Sequence, residues 1–83
     1  MKSQTDPHKV IVKFKNGASY RGETKERFIR HGFGVQDWPD GSKYVGNWEN
    51  DWANGEGKLY HASGDIYEGQ WKNDQAHGKG IYY

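Results

Sequence analysis

Residues that favour packing alternate with polar ones along much of this chain. Tyr44, Gly46 and Trp48 share one parity, with Val45 and Asn47 between them, and Tyr67, Gly69 and Trp71 repeat the arrangement. A period of two belongs to a β-strand with one packed face. Each run leads into turn-forming residues, Glu49-Asn50-Asp51 and Lys72-Asn73-Asp74. The short polar side chains of Asn and Asp bond to nearby backbone and favour turns. A second strand follows, with Gly55, Gly57, Leu59 and His61 on one face; the equivalents upstream are Gly32, Gly34, Gln36 and Trp38. Pro39-Asp40-Gly41 and Ala62-Ser63-Gly64 read as short turns into the next strand. No segment has helical spacing with a cap. The pattern predicts an all-β fold, a single-layer antiparallel meander of β-hairpins.

The hairpins repeat. An offset of 23 carries Tyr44-Val45-Gly46-Asn47-Trp48 onto Tyr67-Glu68-Gly69-Gln70-Trp71, and Gly41, Gly55 and Gly57 onto Gly64, Gly78 and Gly80. The array is expected to span residues 10–83 behind an N-terminal tail, residues 1–9. It divides into a half repeat at 10–19, repeats at 20–43 and 44–66, and an incomplete repeat at 67–83. The copy at 20–43 is irregular: Thr24 stands where the others have tryptophan, and its turn, Lys25 to His31, is one residue longer. A strand-centre glycine is costly unless something packs across it. The rings of Tyr44, Trp48, Tyr67 and Trp71 are therefore expected to lie flat over Gly46, Gly57, Gly69 and Gly80. Rings of this size give a core to a chain in which only 33% of residues are hydrophobic but 16% are aromatic.

At these residues the chain resembles the MORN repeat family. The match is Y-x-G-x-W, a polar turn, His/Asn-Gly-x-Gly and then Asp/Ser-Gly. Gly41 to Trp48 and Gly64 to Trp71 are the closest copies. The resemblance implies an open, solenoid-like twisted β array. It also implies protein–protein scaffolding, self-association or placement at a membrane; lipid binding belongs to the family as a class. Family repeats also occur fused to catalytic domains, so an accessory segment of a larger enzyme is a third class.

Composition adds little chemistry. The formal charge of +1 sets up no field for nucleic acid. The absence of cysteine removes disulfides, thiolate nucleophiles and Cys-rich zinc sites, and fits a reducing compartment. The expected location is the cytoplasm, either free or attached to the cytoskeleton or a membrane. Glu49/Asp51 and Asp65/Glu68 read as solvated acids of turns and strand edges rather than an acid–base pair. His31 and His77 precede a glycine once per repeat, without the fixed-spacing partners of a zinc site, and read as turn side chains bonded to backbone. No Ser/His/Asp set has a recognisable context. The chain is expected to be no enzyme, with no catalytic residue, metal, cofactor or small-molecule substrate.

Two surfaces remain as candidates. Trp38, Tyr44, Trp48, Leu59, Tyr67, Trp71 and Tyr82 form an aromatic face on which a protein partner or a second copy could pack, since one layer leaves such a face partly uncovered. Lys13, Lys15 and Arg21, with the apolar-in-basic turn Arg27-Phe28-Ile29-Arg30, could meet an anionic membrane surface. The competing readings are a core, an edge strand guarded by lysines, and a Phe28 that caps its hairpin. Finally, the last strand, Lys79 to Tyr83, has a single lysine followed by Ile81-Tyr82-Tyr83. It is expected to pair with another copy, or to be buried internally in a longer parent.

Overall fold

A computed structural model describes residues 9–83, apart from the side chains of Lys9 and Arg27. The expected tail thus lies outside the described residues, save for the backbone of Lys9. Seven strands form one antiparallel sheet in which each pairs only with its neighbours in sequence. They are β1 (Lys9–Lys13), β2 (Ser19–Lys25), β3 (Ile29–Asp37), β4 (Lys43–Glu49), β5 (Trp52–Tyr60), β6 (Ile66–Lys72) and β7 (Gln75–Tyr82). β2–β3, β4–β5 and β6–β7 are the three hairpins, and β1 is the half repeat in front of them. The sheet extends 42 × 25 × 25 Å.

The turn chemistry follows the sequence in two hairpins and departs from it in the first. Asn50 and Asp51 take φ of 50° and 76°, and Asn73 and Asp74 take 50° and 69°. Both central residues in the left-handed region make the two-residue hairpin turn whose twist matches the strands, and Asn and Asp tolerate it best. In the first hairpin the extra residue is absorbed by a single 3₁₀ turn, Glu26–Phe28, ending with Phe28 at φ 60°. This short helical turn is the one element that the strand pattern did not anticipate.

The two glycines of each G-x-G have different jobs. The register slips by a bulge between Gly46 and Trp48, and again between Gly69 and Trp71. Gly55 lies opposite the first slip at φ 89°, a backbone few other residues adopt. Gly57, the second glycine, makes room for a ring: a Cβ there would sit 2.1 Å from the Tyr44 hydroxyl. Gly34 stands in the same relation to Tyr20, and Gly80 to Tyr67.

The ring-over-glycine expectation is therefore right for the tyrosines and wrong for the tryptophans. Gly46 and Gly69 face the backbone of the paired strand, where a Cβ would lie 2.4 Å from the Cα of Gly57 or Gly80. Trp48 and Trp71 instead stand between tyrosines. Trp48 meets Tyr20 and Tyr44 edge-to-face at 5.6 and 5.1 Å, and Trp71 meets Tyr44 and Tyr67 at 5.2 and 5.3 Å. Ring quadrupoles favour this perpendicular packing over a flat stack. The result is one zipper of alternating Tyr and Trp running across the strands, closed by Tyr82 at 5.0 Å from Tyr67.

The polar ends of these rings are satisfied. Tyr20, Tyr44 and Tyr67 donate to the carbonyls of Glu23, Asn47 and Gln70. The indole N–H of Trp48 donates to the Gly34 carbonyl and that of Trp71 to the Gly57 carbonyl. No buried side-chain nitrogen or oxygen among the described residues lacks a partner. The core can thus be built from amphipathic rings without orphaned polar groups.

Burial leaves a mark on ionisation. It pushes the Tyr20 hydroxyl from 10.0 up to about 12; Arg30 pulls the other way, and the carboxylates of Glu23 and Asp51 add to the rise. Tyr44 is raised further, again chiefly by burial, with Asp74 adding. The neutral phenol is the form the fold holds. This contribution to stability is therefore complete below pH 10 and fades as pH climbs through about 12. Alkaline titration should show phenolate absorbance rising together with loss of the strand circular dichroism. Full ionisation of all tyrosines near pH 10 with the sheet intact would contradict this account.

Candidate functional site

The hairpins are fastened to one another at their turns. The Asp51 N–H donates to the Arg30 carbonyl, and its carboxylate accepts from the Arg30 N–H. One repeat later the Asp74 N–H donates to the Ala53 carbonyl and its carboxylate accepts from the Ala53 N–H at 2.6 Å. The left-handed turn aims each aspartate's main chain and side chain together at one residue of the preceding hairpin. His31 belongs to the same seam, its Nδ1 accepting from the Asn50 N–H at 3.2 Å.

Arg30 adds a second set of contacts that Ala53 is too short to make. Its guanidinium lies 4.3 Å over the Trp48 ring. Its Nε donates to the Asp51 carboxylate at 2.7 Å, Nη1 to the Gln36 side chain at 2.9 Å, and Nη2 to the Asp51 carbonyl at 2.9 Å. Partial burial raises the Asp51 carboxyl, but the Arg30 hydrogen bonds and charge outweigh it and hold the group below the ordinary carboxylate range. Sequence reasoning placed Arg30 among membrane contacts and gave Gln36 no role. The available signal was the repeat alignment itself, which sets Arg30 against Ala53 and buried Gln36 against Leu59.

On the same face, between the second and third hairpins, a cavity of about 240 Å³ opens beside Trp38, Ala53, Leu59, Trp71 and Asp74, with Arg30 and Trp48 on its near wall.

The expected aromatic face separates into a core and a remainder. Tyr44, Trp48, Tyr67 and Trp71 are buried in the zipper, so the surface they offer is small. Trp38 and Leu59 are half-buried at its margin. Tyr82 is 68% exposed, although it occupies the place that Gln36 fills at 3% two repeats earlier. The face thus opens toward β7, which is exposed along its whole length. Ile81 and Tyr83 add further exposed apolar surface there, and the Tyr83 hydroxyl donates to Glu68 at 2.7 Å.

The expected membrane set is not brought together. Lys13 closes β1 and Lys15 sits in the turn to β2, beside the 38–42 turn: a Cβ on Gly17 would lie 3.2 Å from Pro39. Phe28 is 66% exposed in the turn at the other end of the strands, roughly 20 Å away for a seven-residue strand. Arg21 lies on β2 with its guanidinium 3.8 Å from Asp37, and Ile29 is half-buried at the start of β3. Arg30 is taken up by Asp51 and Trp48. The Arg27 side chain lies outside the described residues. Among the described residues no three His, Asp or Glu side chains are grouped as metal ligands would be.

Comparison with known proteins gives one result. The MORN repeat family model matches residues 29–43, 44–66 and 67–83, well over half of the chain. No curated protein matches it.

Proposed function

Since the chain belongs to the MORN repeat family, we propose that it is a non-catalytic interaction module that binds a partner protein or a second copy of itself. The binding surface is the part of the aromatic face that the zipper leaves open, together with the edge of β7. The observation that carries this reading is Tyr82, a core-type position that is 68% exposed on a strand with no covered residue. Its ring and the free backbone groups of β7 can be buried together by one added strand, the mode by which open sheet edges recruit peptides. β1 makes a poorer edge for this purpose, because Lys9 and Lys13 flank its short apolar run.

Sedimentation velocity across a concentration series tests the reading. The chain is expected to associate as concentration rises, and Ile81→Lys/Tyr83→Lys to remain monomeric. A strictly monomeric parent, or a double variant that associates equally, would remove β7 as the contact. Attachment to a membrane ranks second, because a flat bilayer would meet either the Lys13/Lys15 end or the Phe28 end of the strands. Co-sedimentation with anionic vesicles at low salt is expected to leave the chain in the supernatant. Salt-sensitive pelleting, lost when Lys13, Lys15 and Arg21 become glutamine, would reverse that order.

A further inference from the structure

Four side chains build one filled position in the array: Arg30 lies over Trp48, bonded to Asp51 and Gln36. One repeat of 23 residues later the same four positions are Ala53, Trp71, Asp74 and Leu59. All four line the cavity of about 240 Å³. The cavity is therefore the same place with its guanidinium missing. The Asp74 carboxylate accepts the Ala53 N–H, as Asp51 accepts the Arg30 N–H. Among the described residues, though, no basic side chain pairs with Asp74, whereas Asp51 has Arg30 at 2.7 Å. Trp71 is also slightly more exposed than Trp48, at 9% against 5%.

We propose that this cavity is a binding site for an arginine side chain presented by a partner protein, held over Trp71 and paired with Asp74. An indole face attracts a cation most strongly among the aromatic rings, and the attraction grows where water is excluded. A carboxylate beside it supplies the charge-assisted hydrogen bond that fixes a planar guanidinium. Arg30 forms part of the near wall, but its charge is already met by Asp51. Leu59 stands where Gln36 accepts a hydrogen bond in the filled version, so the entering group keeps its remaining N–H groups toward the mouth. The inference deepens the interaction-module reading and rests on it only in that the arginine is carried by a protein.

The chain allows a direct test, because Arg30 shows what a filled site looks like. The ¹⁵N-labelled chain would be titrated with acetyl-Gly-Arg-Gly-amide and with its neutral citrulline counterpart, following the Trp71 indole N–H and the Ala53 N–H. Saturable shifts at both are expected with the arginine peptide and none with citrulline. Asp74→Asn keeps an acceptor for the Ala53 N–H and the residue's left-handed turn, and should weaken binding roughly tenfold. Ala53→Arg should fill the cavity from within, keep the sheet's spectrum and abolish the shifts. Should that variant fail to fold, Leu59→Gln gives the second reading: it restores the acceptor seen at Gln36 and should tighten binding. Equal response to citrulline, unchanged binding in Asp74→Asn, or no shift at Trp71 would overturn the proposal. None of these outcomes bears on association through β7, which sedimentation reads separately.

Discussion

Gly57→Val is expected to abolish the cooperative thermal transition. A Cβ at this position would lie 2.1 Å from the Tyr44 hydroxyl oxygen and 2.4 Å from its Cζ. Non-bonded carbon atoms need about 3.5–4.0 Å. The ring has nowhere to retreat. Its hydroxyl is bonded to the Asn47 carbonyl at 2.9 Å, and its faces and edges meet Trp48 and Trp71. Moving it would open the zipper on both sides. Overpacking a core ordinarily costs about 1–3 kcal/mol. Here it strikes a fully buried ring in a chain whose size allows little reserve. Gly64→Ala is the comparison. Nothing lies within 4 Å of a Cβ there, so only the backbone strain of φ 105° is felt, and the melt should fall by a few degrees. Circular dichroism melts decide the matter; a Gly57→Val chain that melts beside the parent would refute the ring-over-glycine packing.

Trp48→Ala is expected to cost about 3–5 kcal/mol, the range for losing a buried aromatic, and more than Trp71→Ala. Trp48 joins the two most deeply buried tyrosines of the zipper. Its loss separates Tyr20 from Tyr44, leaves the Gly34 carbonyl without its indole donor, and takes the platform from under Arg30. Trp71 makes the first two kinds of contact, but among the described residues no cation lies over it. Urea unfolding of both variants measures the difference. Equal losses, or losses below about 1 kcal/mol, would mean that the zipper is not what holds the sheet together.

Most of the architecture could be read from residue spacing, because the repeat states each rule more than once. Alternation at Tyr44 to Trp48 and again at Tyr67 to Trp71 gave the strands, and the Asn-Asp pairs gave the turns. The sheet order then follows, since short turns join neighbours. What spacing left open was direction in three dimensions. It identified glycines that needed a ring across them, but the bulges at Gly46/Trp48 and Gly69/Trp71 turn the tryptophans away from those glycines and onto the neighbouring hairpin. Spacing gave Tyr44, Trp48, Tyr67 and Trp71 both as a core and as part of a partly uncovered face, and the structure decides for the core. Arg30 and Gln36 lie in the one copy whose sequence departs from the rest, where Thr24 replaces tryptophan and the turn is longer. The Arg30 partners Gln36, Trp48 and Asp51 come from three strands or turns, and only the fold brings them together.

The strictly sequential order of β1 to β7 has a mechanical consequence. Tension applied between the two edge strands acts across the hydrogen-bonded ladders rather than along them, so strands should peel one at a time from the edges instead of shearing as a block. Each 23-residue hairpin that peels releases roughly 80 Å of contour. The seams at Arg30/Asp51 and Ala53/Asp74 set the order of yielding: the seam reinforced by the Arg30 guanidinium should outlast the one without it. Pulled from its ends, the array would lengthen in graded steps, as a ratcheted tape does, with the third hairpin giving way before the first two part.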